Sequence, residues 1–316
     1  MGKGKSIALT LFVMLLWGSL FPMVKLGFAA FQVESVGDIL LFAGIRFTLC
    51  GGVIWAFALC KKQTPFDKVK NSLVPIFLSG AFAIILHYAF TYIGLTTTAS
   101  SKTAIEKQIG VLFYVLFSAL FFKEDRLNIF KFIGVSLGFF GIVAINISGG
   151  GLHFQVGDAL IILASFCTVF SNVISKKVFK KVDPITATGY SQLFGGVVLL
   201  LIGLLAGGKV QMAWDKSLWI FAYICFASIV SYCVWYMVLK QSNLSNLFII
   251  KFAEPMFSCL LGALILSENI FKWQYLISFL LIAAGIVISN CKGKNKAERE
   301  AEREGKNKDG SPKIEK

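Results

Sequence analysis

A chain of 316 residues that is 56% hydrophobic and only 15% charged is too apolar for a soluble globular domain, so lipid has to act as its solvent. The formal net charge of +14 does not point to nucleic acid, because the 31 Lys and Arg fall mostly in short gaps between apolar runs and in one tail. The 7 cysteines stand singly, with no CxxC and no His at ligand spacing, which argues against disulfides and a metal site; no cofactor is expected either.

A bilayer core of about 30 Å needs roughly 20 apolar residues per helix. Runs of that length, bounded by charge, occur ten times: Ile7 to Phe28, Gly37 to Cys60, Leu73 to Leu95, Thr103 to Phe122, Phe130 to Ile147, Gly157 to Val178, Pro184 to Gly207, Ser217 to Leu239, Ser245 to Leu266 and Trp273 to Ser289. Lys3 and Lys5 look like the start of a signal peptide, but the apolar run after them has no Ala-x-Ala-like exit and is read as a retained first span. The runs are twice the length of a barrel strand and lack strict alternation, so the predicted class is an all-α membrane protein of ten transmembrane helices.

Alternate connections differ in charge. One side collects fourteen cations, among them Lys61, Lys62, Lys176, Lys177, Lys180 and Lys181; the other has Lys102, Lys209, Lys216 and Lys272. The positive-inside rule then puts both termini in the cytoplasm of a multi-pass inner-membrane protein. From Lys292 to Lys316 the chain alternates Lys, Glu, Arg, Asn and Gly without an apolar stripe, the pattern of a solvated, disordered tail (292–316).

One constant offset relates two halves, 1–148 and 149–291. Glu124 and Glu268 stand 144 residues apart, and the same shift pairs Gly51-Gly52 with Gly195-Gly196, Tyr88 with Tyr232, Tyr92 with Tyr236, Lys107 with Lys251 and Gly141 with Gly285. Five spans per half is an odd number, so the second copy enters the membrane from the opposite face and the repeats are inverted.

These residues carry a family resemblance. Two five-helix halves, Trp17-Gly18, Arg46-Phe47, an Ala-Leu-x-x-x-Glu ending each fourth span (Ala119 to Glu124, Ala263 to Glu268) and Gly-rich fifth spans resemble the drug/metabolite transporter superfamily, EamA type. The resemblance covers almost everything before the tail. It implies a central cavity formed mainly by the first, third and fourth spans of each half, with the fifth spans as scaffold or dimer contacts. The family often carries a proline in both fourth-type spans; here only Pro255 is present, with Val111 at the matching position.

Ionisable residues at membrane depth cost about 2.5 to 3.5 kcal/mol each on insertion scales and so call for a reason. Lys107 and Lys251 occupy equivalent positions, with Glu106 and Glu254 close by, and an inverted repeat brings both groups toward the midplane where carriers bind substrate. The bland alternative is that Lys102 with Glu106, and Lys251 with Glu254, neutralise one another as structural pairs. Pro255 frees the Lys251 carbonyl and kinks its helix, for binding, hinging or packing alone. His87, whose repeat equivalent is Ser231, is either a proton-coupling group or a packed, hydrogen-bonded one. Trp17, Tyr88 and Tyr232 are the preferred aromatic cavity residues, through the resemblance and the repeat, with Tyr92, Trp235 and Tyr236 on the same spans. Arg46 anchors neighbouring carbonyls or attracts anions. The glycines at Gly134, Gly138 and Gly141 suit close helix packing, with a homodimer as the alternative.

Substrate-binding candidates are therefore Trp17, His87, Tyr88, Glu106, Lys107, Tyr232, Lys251 and Glu254. The expected function is a secondary transporter exporting small metabolites, such as amino acids, by alternating access, coupled to protons or to exchange; its partners are the lipid bilayer and a small-molecule substrate, with no nucleic acid. A membrane-embedded enzyme on lipid-linked substrates, using Glu106, His87 and Glu254 as acid/base groups, is the competing reading. The connections lack the polar clusters such enzymes gather, and no Walker loop or HExxH occurs.

Overall fold

The computed structural model describes residues 3–61, 64–114, 129–148, 151–211, 217–241, 250–251 and 253–289. Among these the regular structure is helical apart from a two-residue antiparallel ladder, Ile147–Ser148 with Gly151–Leu152. The helices are α1 (Lys3–Ala30), α2 (Val36–Lys61), α3 (Phe66–Lys70), α4 (Leu73–Gly80), α5 (His87–Thr97), α6 (Ser100–Glu106), α7 (Ile129–Ile145), α8 (Val156–Val178), α9 (Pro184–Leu205), α10 (Ser217–Gln241), α11 (Ala253–Leu266) and α12 (Trp273–Ser289). A π-helical segment, Ala81–Leu86, joins α4 to α5 without a break, so Leu73–Thr97 forms one rod.

Among the described residues, six helices are long and apolar enough to cross a bilayer: Gly4–Ala30, Val36–Lys61, Leu73–Thr97, Val156–Val178, Pro184–Leu205 and Ser217–Lys240. Phe132–Ile145, Ala253–Leu266 and Trp273–Ile288 are shorter apolar helices. The run Thr103 to Phe122 falls partly on residues 115–128 and the start of the run Ser245 to Leu266 on 242–249, so the motif ending at Glu124 lies outside the described residues, as does the tail from 292 to 316.

Helix starts reflect local chemistry. Ser35 and Asp38 bond each other's backbone at the start of α2, and Gln155 and Asp158 form a capping box at α8. At α9, Asp183 accepts from the amides of Ile185 and Thr186 while Pro184 occupies the first turn, where its missing N–H costs nothing.

The fourth run departs from expectation. It winds as α6 only to Glu106, turns at Lys107 and Gln108, and is helical again over 109–114. The amides of Gln108, Gly110 and Val111 bond carbonyls three residues back, a tightened winding achieved without a proline. The sequence predicts a break only in the other half, at Pro255.

Packing between the halves is reciprocal. Helix α1 lies against α10 and α11, and α8, the first long helix of the second half, lies against α4, α5 and α6. Helix α2 packs along α9, and α7 along α12. Small residues let these backbones approach. A Cβ on Gly51 would overlap the backbone of Leu193, one on Gly196 the backbone of Thr48, and one on Gly44 the backbone of Leu200. In the second pair, Gly285 faces the Gly134 carbonyl at 2.5 Å from where its Cβ would stand. Gly52, one residue from Gly51, would meet nothing within 4 Å.

The adjacent glycines therefore separate packing from propensity. Gly51→Ala is expected to destabilise the protein by about 1–3 kcal/mol through backbone overlap. Gly52→Ala is expected to be neutral or to stabilise by up to about 1 kcal/mol, because alanine is the better helix former. Thermal unfolding of the two variants in nanodiscs checks the contrast; equal losses would mean that the close approach of α2 and α9 does not hold the halves together.

Candidate functional site

One face of each of four long helices turns toward a common centre. Trp17, Leu20, Phe21 and Val24 have the three- and four-residue spacing of a single helical face on α1, as do His87, Tyr88, Thr91, Tyr92 and Leu95 on α5. Helix α8 adds Thr168, Ser171 and Asn172, and α10 adds Tyr232, Trp235 and Tyr236. Arg46 enters from α2, Lys107 from the turn after α6, Lys251 from just before α11 and Glu254 from its first turn. Together they line one common cavity, the kind of concave space with a few convergent polar groups in which small ligands bind.

The π segment places α5. One residue more per turn over Ala81–Leu86 shifts the register of the helix beyond it, and the first residues there are His87 and Tyr88. Gly18, beside Trp17, sets the opposite wall, since a Cβ there would stand 2.8 Å from both the Glu254 carbonyl oxygen and Phe257 Cβ.

Residues 144 apart meet here. The hydroxyls of Tyr88 and Tyr232 are hydrogen bonded at 2.8 Å, and Lys107 and Lys251 line the same space. The chemistry of the two sides nevertheless differs. Lys107 Nζ lies 3.3 Å from His87 Nε2 and 5.0 Å from the centre of the Phe21 ring, whereas Lys251 Nζ lies 5.7 Å from the centre of the Trp17 ring. Trp17 in turn packs on Tyr232 and Trp235, at centroid distances of 5.9 and 5.1 Å. His87 Nδ1 is 3.0 Å from the Ala164 carbonyl and 2.8 Å from Thr168 Oγ1. With Lys107 donating to Nε2, this pattern fits a neutral ring whose proton sits on Nδ1.

Arg46 is fully buried and bonds the hydroxyls of Ser228 and Tyr92 rather than backbone carbonyls, with its guanidinium over the rings of Phe47 and Tyr88 at 4.6 and 5.3 Å. Glu254 is 2% exposed and its Oε2 has no hydrogen-bond partner; Thr91 Oγ1, also on the cavity wall, has none either.

Seven of the eight candidates line this cavity; Glu106 does not. Its carboxylate is buried behind the wall, where Oε1 accepts from Asn146 Nδ2 at 3.1 Å and faces Lys102 Nζ at 3.6 Å. The reason is helical phase: Glu106 ends α6 one residue before the turn that swings Lys107 inward. Lys102 also pairs with Asp158 at 2.9 Å, and both ion pairs among the described residues run through this lysine. The Lys251–Glu254 pair considered from spacing is not among them. The lining of Thr91, Thr168, Ser171 and Phe21 is not apparent from sequence alone, although Thr91 and Phe21 each share a helical face with a candidate residue.

Beside Glu106 the halves are stapled together. Glu268, in the loop after α11, accepts from the amide and hydroxyl of Ser100 at 2.8 and 2.6 Å and of Ser101 at 3.0 and 2.6 Å, occupying the positive start of α6. Burial pushes this carboxyl up, but the four donors outweigh it and hold it below its ordinary value. A depressed carboxyl adds stability that is complete at neutral pH and is lost as pH falls through the depressed value. Glu268→Gln is therefore expected to lower the thermal midpoint at pH 7, with the gap to wild type closing on acidification; a pH-independent gap would assign the contribution to shape rather than charge.

This geometry has relatives among known proteins. The chain matches the EamA-like transporter family over residues 4–147 and again over 155–291. A protein of Archaeoglobus fulgidus named an uncharacterized transporter is 25% identical over 278 residues, 84% of this chain and 91% of its own. The uncharacterized transporter YvbV of Bacillus subtilis is 25% identical over 92% of this chain and 93% of its own. The uncharacterized inner membrane transporter YedA of Escherichia coli is 25% identical over 87% of each. A solved crystal structure, at 17% identity, shares the fold with a TM-score of 0.66 over 95% of this chain and 100% of that one.

Proposed function

As a member of the EamA-like transporter family, this chain is a multi-pass membrane transporter, and we propose that it is a secondary carrier exporting a small polar or amphipathic metabolite, such as an amino acid or related compound, by alternating access. The observation that carries the reading is the hydrogen bond between Tyr88 and its repeat equivalent Tyr232, inside a cavity that Lys107 and its equivalent Lys251 also line. A residue that touches its own copy lies beside the axis relating the copies, and carriers built from inverted repeats bind substrate at that axis.

In this reading the chain has ten spans as two inverted five-helix units, and both termini face the cytoplasm of the inner membrane. The halves rock about the cavity, opening it to one side at a time. The Glu268 staple and the Lys102–Asp158 pair hold the extracytoplasmic end shut, and opening that end requires both to part. Trp17, His87, Tyr88, Lys107, Tyr232, Lys251 and Glu254 contact substrate, and Glu106 acts with the closure rather than the cargo. Energy comes from a proton gradient or from exchange.

Lys251→Ala and Glu254→Gln are each expected to reduce flux in proteoliposomes by at least about tenfold, a loss of roughly 1.4 kcal/mol or more in transition-state stabilisation, while the protein stays monodisperse. Wild-type flux from either variant would remove that residue from the mechanism. A green fluorescent protein fused after Lys316 is expected to fluoresce in cells, as cytoplasmic fusions do, and a dark fusion made at normal levels would reverse the orientation.

A further inference from the structure

Charge in the cavity does not balance. Among the described lining residues Arg46, Lys107 and Lys251 are cationic and Glu254 alone is acidic. None of the three cations has a carboxylate within 4 Å among the described residues, since both ion pairs there belong to Lys102. The lysines rest on the rings of Phe21 and Trp17, and Arg46 on two hydroxyls. Ring faces and hydroxyls delocalise positive charge without cancelling it. Like charges gathered in a space of low dielectric repel over many ångströms, and an anion placed among them removes that repulsion.

A second, independent observation also points to a ligand. Glu254 Oε2 and Thr91 Oγ1, on residues that line the cavity from different helices, are buried with no partner, a costly state for polar atoms unless an occupant of the cavity supplies one. The rest of the lining beside Lys251 is aromatic, Trp17 and Trp235 among it, and suits an apolar or aromatic body.

We infer that the cavity selects an organic anion: a carboxylate or phosphate headgroup sits between Lys107 and Lys251 in the field of Arg46, with its apolar body against Trp17 and Trp235. This rests on the carrier reading and names its substrate class. A zwitterion is admitted when its ammonium reaches Glu254; a simple amine is not.

The test uses the full chain in nanodiscs and five probes of similar size: 3-phenylpropionate, phenyl phosphate, phenylalanine, 3-phenylpropionamide and 3-phenylpropylamine. Thermal-shift titration is expected to give at least one of the two anions an apparent Kd at least about tenfold below those of the amide and the amine. Whichever anion gives the larger shift identifies the headgroup. The double variant Lys107→Met, Lys251→Met is expected to lose the anion shift, and Lys107→Arg, Lys251→Arg to keep it; should the methionine variant fail to fold, the wild-type order decides. No shift with either anion, or an equal or larger shift from the amide or amine, overturns the inference. Counterflow in proteoliposomes separates it from the carrier reading. Flux of the amine or amide removes the anion inference and leaves the carrier, whereas anion binding without flux removes the carrier and leaves the site.

Discussion

Positive charge kept out of lipid by protein alone is the constraint on which this architecture depends. Arg46, Lys107 and Lys251 stand among helices whose outer faces are Phe, Leu, Ile and Val, and each is desolvated with rings and hydroxyls as company. An ammonium at such depth is tolerated only if the bundle walls it off from acyl chains. The walls are supplied by α1 and α10 on one side and α5 and α8 on the other, and their spacing is set by backbone contacts that glycine alone permits. Packing and charge are therefore one problem here: loosening α2 against α9 moves Arg46, and moving Arg46 releases Tyr92 and Ser228.

Repetition supplies the frame, and divergence within it supplies the chemistry. Tyr88 and Tyr232 are the same residue twice and meet, and the two lysines share a cavity. Around them, beyond the pair Tyr92 and Tyr236, equivalence ends. His87 stands against Ser231, Thr91 against Trp235, and Gly110 against Glu254. A polar flank with a histidine faces an aromatic flank with a carboxylate, so a bound molecule experiences different ends even though the backbone around it repeats.

Much of this is legible in the sequence because apolar length and a constant offset are long-range signals that survive local noise. The runs at Ile7 to Phe28, Gly37 to Cys60 and Ser217 to Leu239 become helices of nearly those bounds, and the offset that pairs Lys107 with Lys251 identifies two residues that share a cavity. The features that stay hidden depend on helical phase. Glu106 and Lys107 are neighbours in sequence, yet a turn with no proline or glycine signature at its start sends one behind the wall and the other into the cavity. Sequence alone leaves Arg46 between carbonyls and anions; its hydroxyl partners come from α5 and α10, distant in sequence. The wide turns before His87 have no composition of their own, since Ala81–Leu86 reads as an ordinary apolar stretch.

That wide-turn segment governs how the protein tolerates length changes. An α-helix advances about 100° per residue, so the surplus residue accommodated there fixes the angular phase between the lower part of the rod and the aromatic face above it. Losing a single residue between Ala81 and Leu86 would restore regular winding and leave His87, Tyr88 and Tyr92 near their present phase, whereas losing one from the regular turns beside it would rotate them about 100° away from their partners. The rod would still fit the bilayer in either case, and only the second change would cost its reading frame toward the interior.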